Sequence, residues 1–287
     1  MLTRLVLFIM WLLHWLPLPV LAVFGRGLGR LLYAVGHERR HITLINLGLC
    51  FPQMSEAEKS ALARRHFKAF GRSVLELGLW WWASPERIAR LVRFEGGEKL
   101  EVYRNKPVIL LVPHFVGIDA GAIRLLLDYR AGAMYTHQKN RLFEAAMNNG
   151  RMRFGNAVLA SRQEGTKKAL RFMKDGYFFH YSPDQDFGPK DSIFVPFFGV
   201  TTATITGLSR LAKVSKATVI PMITRMEADR YVTSVGEPWI DFPGDGGEGD
   251  ARRMNTLIET EIMKSPEQYY WLHRRFKTRP PGEKGVY

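Results

Sequence analysis

Few residues in this chain have the type and spacing to do chemistry, and the clearest are His114 and Asp119. They follow the apolar run Val108-Ile109-Leu110-Leu111-Val112 and Pro113. An imidazole near its ordinary pKa accepts a proton at neutral pH, so it can activate a hydroxyl as a general base. A carboxylate on its other ring nitrogen fixes the tautomer and stabilises the imidazolium that forms. A five-residue separation inside one helix would turn the two side chains apart, because facing pairs lie three or four apart. The expected arrangement puts His114 in a loop and Asp119 in the first turn of the next helix, where the bend brings them together. The bland alternative is a satisfied histidine beside a helix-start aspartate, worth about 0.3–1 kcal/mol through the helix dipole.

Three further clusters bear on that choice. Gly150 and Arg151 lie in Asn149-Gly150-Arg151-Met152-Arg153, whose guanidiniums suit bidentate capture of a phosphate or simply a basic helix end. Asp184 and Asp186 lie in Pro183-Asp184-Gln185-Asp186-Phe187-Gly188-Pro189, where they could hold an arginine, orient a sugar or bind a metal. Turn chemistry alone also favours Asp there. Arg274 and Arg275 belong to a segment running from Gln268 through Tyr269, Tyr270 and Trp271 to Arg279. Aromatics interleaved with cations suit a lipid headgroup or phosphate surface, or a solvated tail.

The elements that must position these groups alternate. The apolar run 108–112, stopped by a proline, reads as a buried strand, and 118–128 as a helix with Ile118, Ala122, Leu125 and Leu126 inward. A weak strand near 133–136 and a helix over 141–148 follow. Ser161 and Glu164 form a capping box for a helix to Lys174, stopped by Gly176. Strands at 177–181, 218–224 and 231–235, a helix over 202–212 and a final helix over 251–263 complete the pattern. Upstream, Ser55 and Glu58 cap a long helix running toward Trp80-Trp81-Trp82, of which at least one tryptophan should be core. The fold class expected is α/β, with a mostly parallel sheet covered by helices and its site at the carboxyl ends of the strands. The acidic, Gly-rich stretch 241–250 reads as a mobile loop and lacks the Lys-Ser/Thr ending of a P-loop.

Length and charge bound the partners. The 287 residues suffice for one extended α/β domain with appendages, and 41 Lys and Arg against 27 Asp and Glu give a formal charge of +14. Such an excess favours an anionic partner. The lone cysteine, Cys50, excludes a disulfide framework within the chain. Residues 5–24 carry no Lys, Arg, Asp or Glu, a run long enough to cross a bilayer, although Pro17 and Pro19 should kink or end its helix. Arg26, Arg30, Arg39 and Arg40 follow it against Arg4 before, which places the bulk of the chain in the cytoplasm. Residues 1–25 are expected to be a membrane anchor and 26–287 a single catalytic domain.

Taken together, these segments resemble the bacterial lipid A biosynthesis acyltransferase family. The resemblance rests on the hydrophobic N-terminus, Val112-Pro113-His114 with Asp119, Gly150-Arg151, and the 183–189 block. It continues through Val195-Pro196-Phe197-Phe198-Gly199 and Trp271-Leu272-His273-Arg274-Arg275-Phe276-Lys277. The His-x4-acid element alone is shared with glycerolipid acyltransferases. The resemblance implies acyl transfer from an acyl carrier protein thioester to a hydroxyl of a phosphorylated lipid A precursor, at the cytoplasmic face of the inner membrane. His114 would be the base and Asp119 its orienting partner. Arg151 would act on phosphate or the developing oxyanion, Asp184 and Asp186 would support that network, and no acyl-enzyme would form. No metal or other cofactor is expected beyond the acyl carrier co-substrate.

Rival readings make different demands. An acyltransferase acting on another glycolipid or on a glycerolipid shares the His-acid pair. A membrane-tethered nucleic-acid-binding protein would explain the charge but would need salt-dependent binding without His114. No helix-turn-helix or zinc-finger signature supports it, so no nucleic acid is expected as a partner. A metal hydrolase on His114, Asp119 and Asp184 lacks a dense ligand motif.

Overall fold

Pro17 and Pro19 divide the N-terminal apolar run into two helices, α1 (Leu2–Leu13) and α2 (Leu18–Val35), rather than one. The ring of Pro17 fixes the residue before the first turn of α2, and Pro19 sits within that turn, where a missing N–H costs nothing. The boundary drawn after residue 25 falls inside α2. This computed structural model describes residues 1–287 except Asp245. After α3 (His37–Cys50), the Ser55–Glu58 capping box starts α4 (Glu56–Trp82), the longest helix. Helix α2 lies close against α4, because a Cβ at Gly71 would meet the backbone of Gly25 and Gly29 at 2.4 Å. Outward, α1, α2 and the turn between them expose Leu5, Phe8, Ile9, Leu12, Trp15 and Phe24.

Beyond α4 the chain alternates. It forms α5 (Pro85–Leu91), β1 (Val92–Glu95), α6 (Glu98–Glu101), β2 (Val108–Leu111), α7 (Ile118–Asp128), β3 (Ala131–Tyr135), α8 (Arg141–Met152) and β4 (Ala157–Ser161). Then come α9 (Thr166–Lys174), β5 (Phe178–Tyr181), a hairpin of β6 (Ser192–Phe197) and β7 (Val200–Ile205), α10 (Gly207–Ser215), β8 (Thr218–Met226), β9 (Tyr231–Val235) and α11 (Glu248–Lys264). Seven strands form one sheet in the order β1-β9-β8-β2-β5-β3-β4, parallel throughout except for the β8–β9 pair. Strand β2 lies at its centre with all four residues buried, as a strand covered on both faces requires.

Alternation along β2 separates the two cores. Val108, Leu110 and Val112 pack with Met10, Leu21, Leu79, Trp80 and the apolar stripe of α7. Ile109 and Leu111 pack on the other side with Phe172 of α9, Leu211 of α10 and Ile258 of α11. Trp80 and Trp81 are buried and Trp82 partly so, which places the aromatic triplet mainly in the core.

Some local readings fail for identifiable reasons. The segment expected as a helix over 202–212 begins as β7, since its Val-Thr-Thr-Ala-Thr-Ile run is β-branched and pairs with β6; the helix starts only at Gly207. The Ser161–Glu164 box caps a 3-10 turn, and Gly165, at φ 75°, re-aims the chain before α9. Strands β1, β4 and β6 carry weak or interrupted apolar patterns and give no clear signal. In the 241–250 stretch Asp245 lies outside the described residues, and α11 already begins at Glu248.

Candidate active site

The sheet register builds the site. Strands β2 and β5 are parallel neighbours with Leu111 opposite Tyr181, and Val112 N–H donates to Tyr181 O at 2.9 Å. Each strand ends on the same pattern, a residue, a proline and a polar group: Val112-Pro113-His114 and Ser182-Pro183-Asp184. Continuing the register by three places His114 opposite Asp184 at the carboxyl edge of the sheet. There His114 Nδ1 lies 2.7 Å from Asp184 Oδ1, and His114 N–H donates to Oδ2 at 2.9 Å.

This corrects the expected partner. Asp119 stands in the first turn of α7 as anticipated, but Arg151 takes its carboxylate, through Nη2 at 2.6 Å and Nε at 3.2 Å. The bend after Pro113 turns the ring toward β5 rather than into the turn of α7. Asp184, 1% exposed, is a fixed acceptor, so Nδ1 carries the proton and Nε2 is left as the basic atom. Among the described residues Nε2 has no hydrogen-bond partner, and the side chain is 28% exposed.

Electrostatics reinforce the pair. Burial by itself would lower the His114 pKa. The charge of Asp184, its hydrogen bond and the more remote charge of Asp119 outweigh burial and hold it above the ordinary value. For Asp184, burial pushes the carboxyl up, but the facing His114 and its two hydrogen bonds hold it below the usual range. On β5, burial and the nearby Arg151 draw His180 down to about 4, so it stays neutral beside these charges.

An open groove leads to the imidazole. Phe70, Ser73, Val74, Leu77 and Trp80 of α4 form one wall at helical spacing, and His114, Ile118, Asp119 and Tyr270 face them. The lining is mostly apolar. The α4 wall and Tyr270 were not singled out as site residues. The only sequence signal for the wall is the i, i+3, i+4, i+7 spacing of residues 70, 73, 74 and 77, which a core helix shows as well.

The remaining candidates separate into framework and surface. Tyr270 N–H donates to His114 O and Val116 N–H to Gln268 O, each at 2.9 Å, so the C-terminal segment pins the histidine loop. Gln268 is itself clamped to the Met226 backbone by two bonds. Arg275 is 2% exposed, donates to Ala203 O at 2.8 Å and lies over the Phe197 ring; it fastens the C-terminal segment to β7 and never reaches the groove. Arg274 pairs with Glu38 on the surface at 3.2 Å. Asp186 points away from His114 and accepts from Gly188 N–H and from the amide and hydroxyl of Thr278. Its own N–H donates to His273 Nε2 at 3.0 Å. Gly150 is a packing residue, since a Cβ there would strike the Trp81 ring at 2.6 Å; it lets α8 approach α4 closely enough to place Arg151.

The class this structure defines is an α/β sheet with a carboxylate-anchored imidazole at its carboxyl edge, opening on an apolar groove. Comparison with known proteins narrows the class. The family described as "Bacterial lipid A biosynthesis acyltransferase" matches residues 1–278, and this chain belongs to it. Three relatives from Escherichia coli (strain K12) illustrate the similarity. A lipid A biosynthesis lauroyltransferase is 37% identical over 96% of this chain and 90% of its own. A myristoyltransferase of the same pathway is 37% identical over 92% and 82%, and a palmitoleoyltransferase 33% over 97% and 92%. Among solved structures, the 1-acyl-sn-glycerophosphate acyltransferase of Thermotoga maritima superposes with a TM-score of 0.39 at 13% identity, over 79% of this chain and 96% of that one.

Proposed function

We propose that this chain transfers a fatty acyl group from an acyl carrier protein thioester to a hydroxyl of a phosphorylated lipid A precursor. The observation that carries the reading is the free Nε2 of His114, oriented from behind by Asp184 at the end of an apolar groove. In the proposed reaction Nε2 takes the proton of the acceptor hydroxyl, and the oxygen attacks the thioester carbonyl as a C–O bond forms. Collapse of the tetrahedral intermediate breaks the C–S bond, and the departing sulfur takes the proton from the imidazolium. Asp184 stabilises that imidazolium while it exists. Arg151, paired with Asp119 and 27% exposed, would meet a phosphate or the developing oxyanion.

Direct transfer without an acyl-enzyme is supported by the lack of an activated thiol. Cys50 is buried among α3 and core side chains, where burial pushes its pKa far up. Membrane attachment is supported by the exposed apolar faces of α1 and α2. Helix α1, with 12 residues, is about 18 Å long, short of the ~30 Å of a hydrocarbon core. Helix α2 keeps one face on α4. We therefore place both helices in the inner membrane from its cytoplasmic side, held by one face.

The test uses the purified full chain in mixed micelles with lauroyl- or myristoyl-carrier protein and a bisphosphorylated, 3-hydroxyacylated glucosamine disaccharide. Mass spectrometry should show one added acyl group, and none with His114→Ala. Full turnover by that variant, or transfer only to lysophosphatidic acid, would defeat the reading.

A further inference from the structure

A charged surface outside the site is the outer face of α9 and its neighbour α10. On α9, Lys167, Arg171 and Lys174 recur at i, i+4 and i+7 and are exposed, while Ala169, Phe172 and Met173 are buried. On α10 the outward residues are Arg210, Lys213 and Val214, the valine 69% exposed. Acids on this surface are few and already engaged: Glu164 with Lys168, Asp175 with Arg171, and Asp191 with Arg210. Lys167, Lys174 and Lys213 have no acidic partner among the described residues.

Placement tells what this surface can meet. Helices α9 and α10 cover the sheet face carrying Ile109 and Leu111, whereas α1 and the start of α2 pack on the face carrying Val108 and Leu110. A flat bilayer that receives α1 and α2 therefore leaves α9 and α10 facing water. Their N-terminal ends nevertheless lie beside the site. Gly207 at the start of α10 abuts the Tyr181 hydroxyl at the end of β5, and Arg162, just before α9, stacks on Phe187 three residues past Asp184. The surface is thus basic, aqueous, marked by an exposed apolar residue, and adjacent to the carboxyl-edge loop that holds His114.

We infer that the α9–α10 face docks an acidic, soluble carrier protein whose thioester arm then reaches over the 183–188 loop into the groove. The inference rests on the carrier-protein donor proposed above and names its docking surface. Charge complementarity of this kind acts mainly on encounter and KM, and weakens with salt.

The test compares two donors bearing the same acyl chain, one on acyl carrier protein and one on free pantetheine, for wild type, K167E/R171E/K174E and the conservative K167R/K174R. The expected result for the charge-reversed variant is a KM for the carrier donor raised about tenfold or more, with kcat kept and its salt dependence flattened. Pantetheine kinetics and the Lys→Arg variant should match wild type. An unchanged carrier KM, or an equal loss with both donors, overturns the docking surface. Loss of binding to anionic vesicles in the charge-reversed variant assigns the face to lipid and also overturns it. Wild type that uses acyl-pantetheine or acyl-coenzyme A but not the carrier donor defeats the donor reading itself, a distinct outcome.

Discussion

Two acid–base clusters lie a few residues apart on the same loop, and only one is left open. At Asp184 the carboxylate faces an imidazole whose second nitrogen is unbonded among the described residues and reachable from a groove. At Asp186, two residues on, both oxygens are taken by Gly188 and Thr278, and the neighbouring His273 spends its Nε2 on a backbone amide. Burial, aided by the charge of Arg275, pulls His273 down to about 4, whereas Asp184 and Asp119 hold His114 up. The first cluster keeps an unspent proton acceptor; the second spends both carboxylate oxygens and the His273 Nε2 on holding the loop and joining it to the C-terminal segment. Residue type does not separate them. Unsatisfied, accessible valence does.

Mutations should split along that line. The largest effect is expected for His114→Ala, a loss of about 10²–10⁴ in kcat/KM with an unchanged melting temperature, read by the mass-spectrometric acyl-transfer assay. Asp184→Asn should follow closely, about 10²–10³, because the amide can hold the ring by donating and so favour the wrong tautomer. Asp119→Asn keeps the Asp184 bond and should cost less, about tenfold, mostly through a loosened Arg151. Should Asp119→Asn prove as damaging as Asp184→Asn, the comparison fails. On the other side, Asp186→Ala and Arg275→Met should lower stability by about 1–3 kcal/mol in chemical denaturation while leaving the pH profile of the surviving activity in place. A displaced profile in either variant would move the second cluster into the chemistry.

The pH dependence has a definite sign. A raised His114 pKa means the base is protonated, and idle, below that value, so kcat/KM should climb with pH through it and then level off. The same shift favours folding while His114 is charged. That contribution is full below the ordinary histidine pKa and disappears as pH rises through the raised value. For Asp184, held below the usual carboxylate range, the stabilising contribution is present above its ordinary value and is lost as pH falls through the depressed one.

How much of this was legible in the sequence depends on the range of the determining interaction. Strand β2, helices α4 and α7, and the α/β class follow from local pattern and capping, and all appear. The Pro-His step singles out His114, and a basic helix end singles out Arg151. Sequence proximity points to Asp119, five residues on, as the acid that orients His114, whereas the partner lies seventy residues away. That partner is chosen by the pairing of β2 with β5, which no single segment encodes. Even so, the repeated residue-Pro-polar ending of the two strands was visible. Arg275 reads as a headgroup ligand from its neighbours alone, because its burial against Phe197 and β7 depends on the hairpin, whose second strand reads as helix.

The most direct test of the account is the acid limb of the kcat/KM profile for wild type, Asp184→Asn and Asp119→Asn. With Asp184 as the group that charges and orients His114, the Asp184 variant should shift that limb to lower pH by clearly more than the Asp119 variant does. A limb that moves with Asp119 and stays put without Asp184 would contradict the central claim.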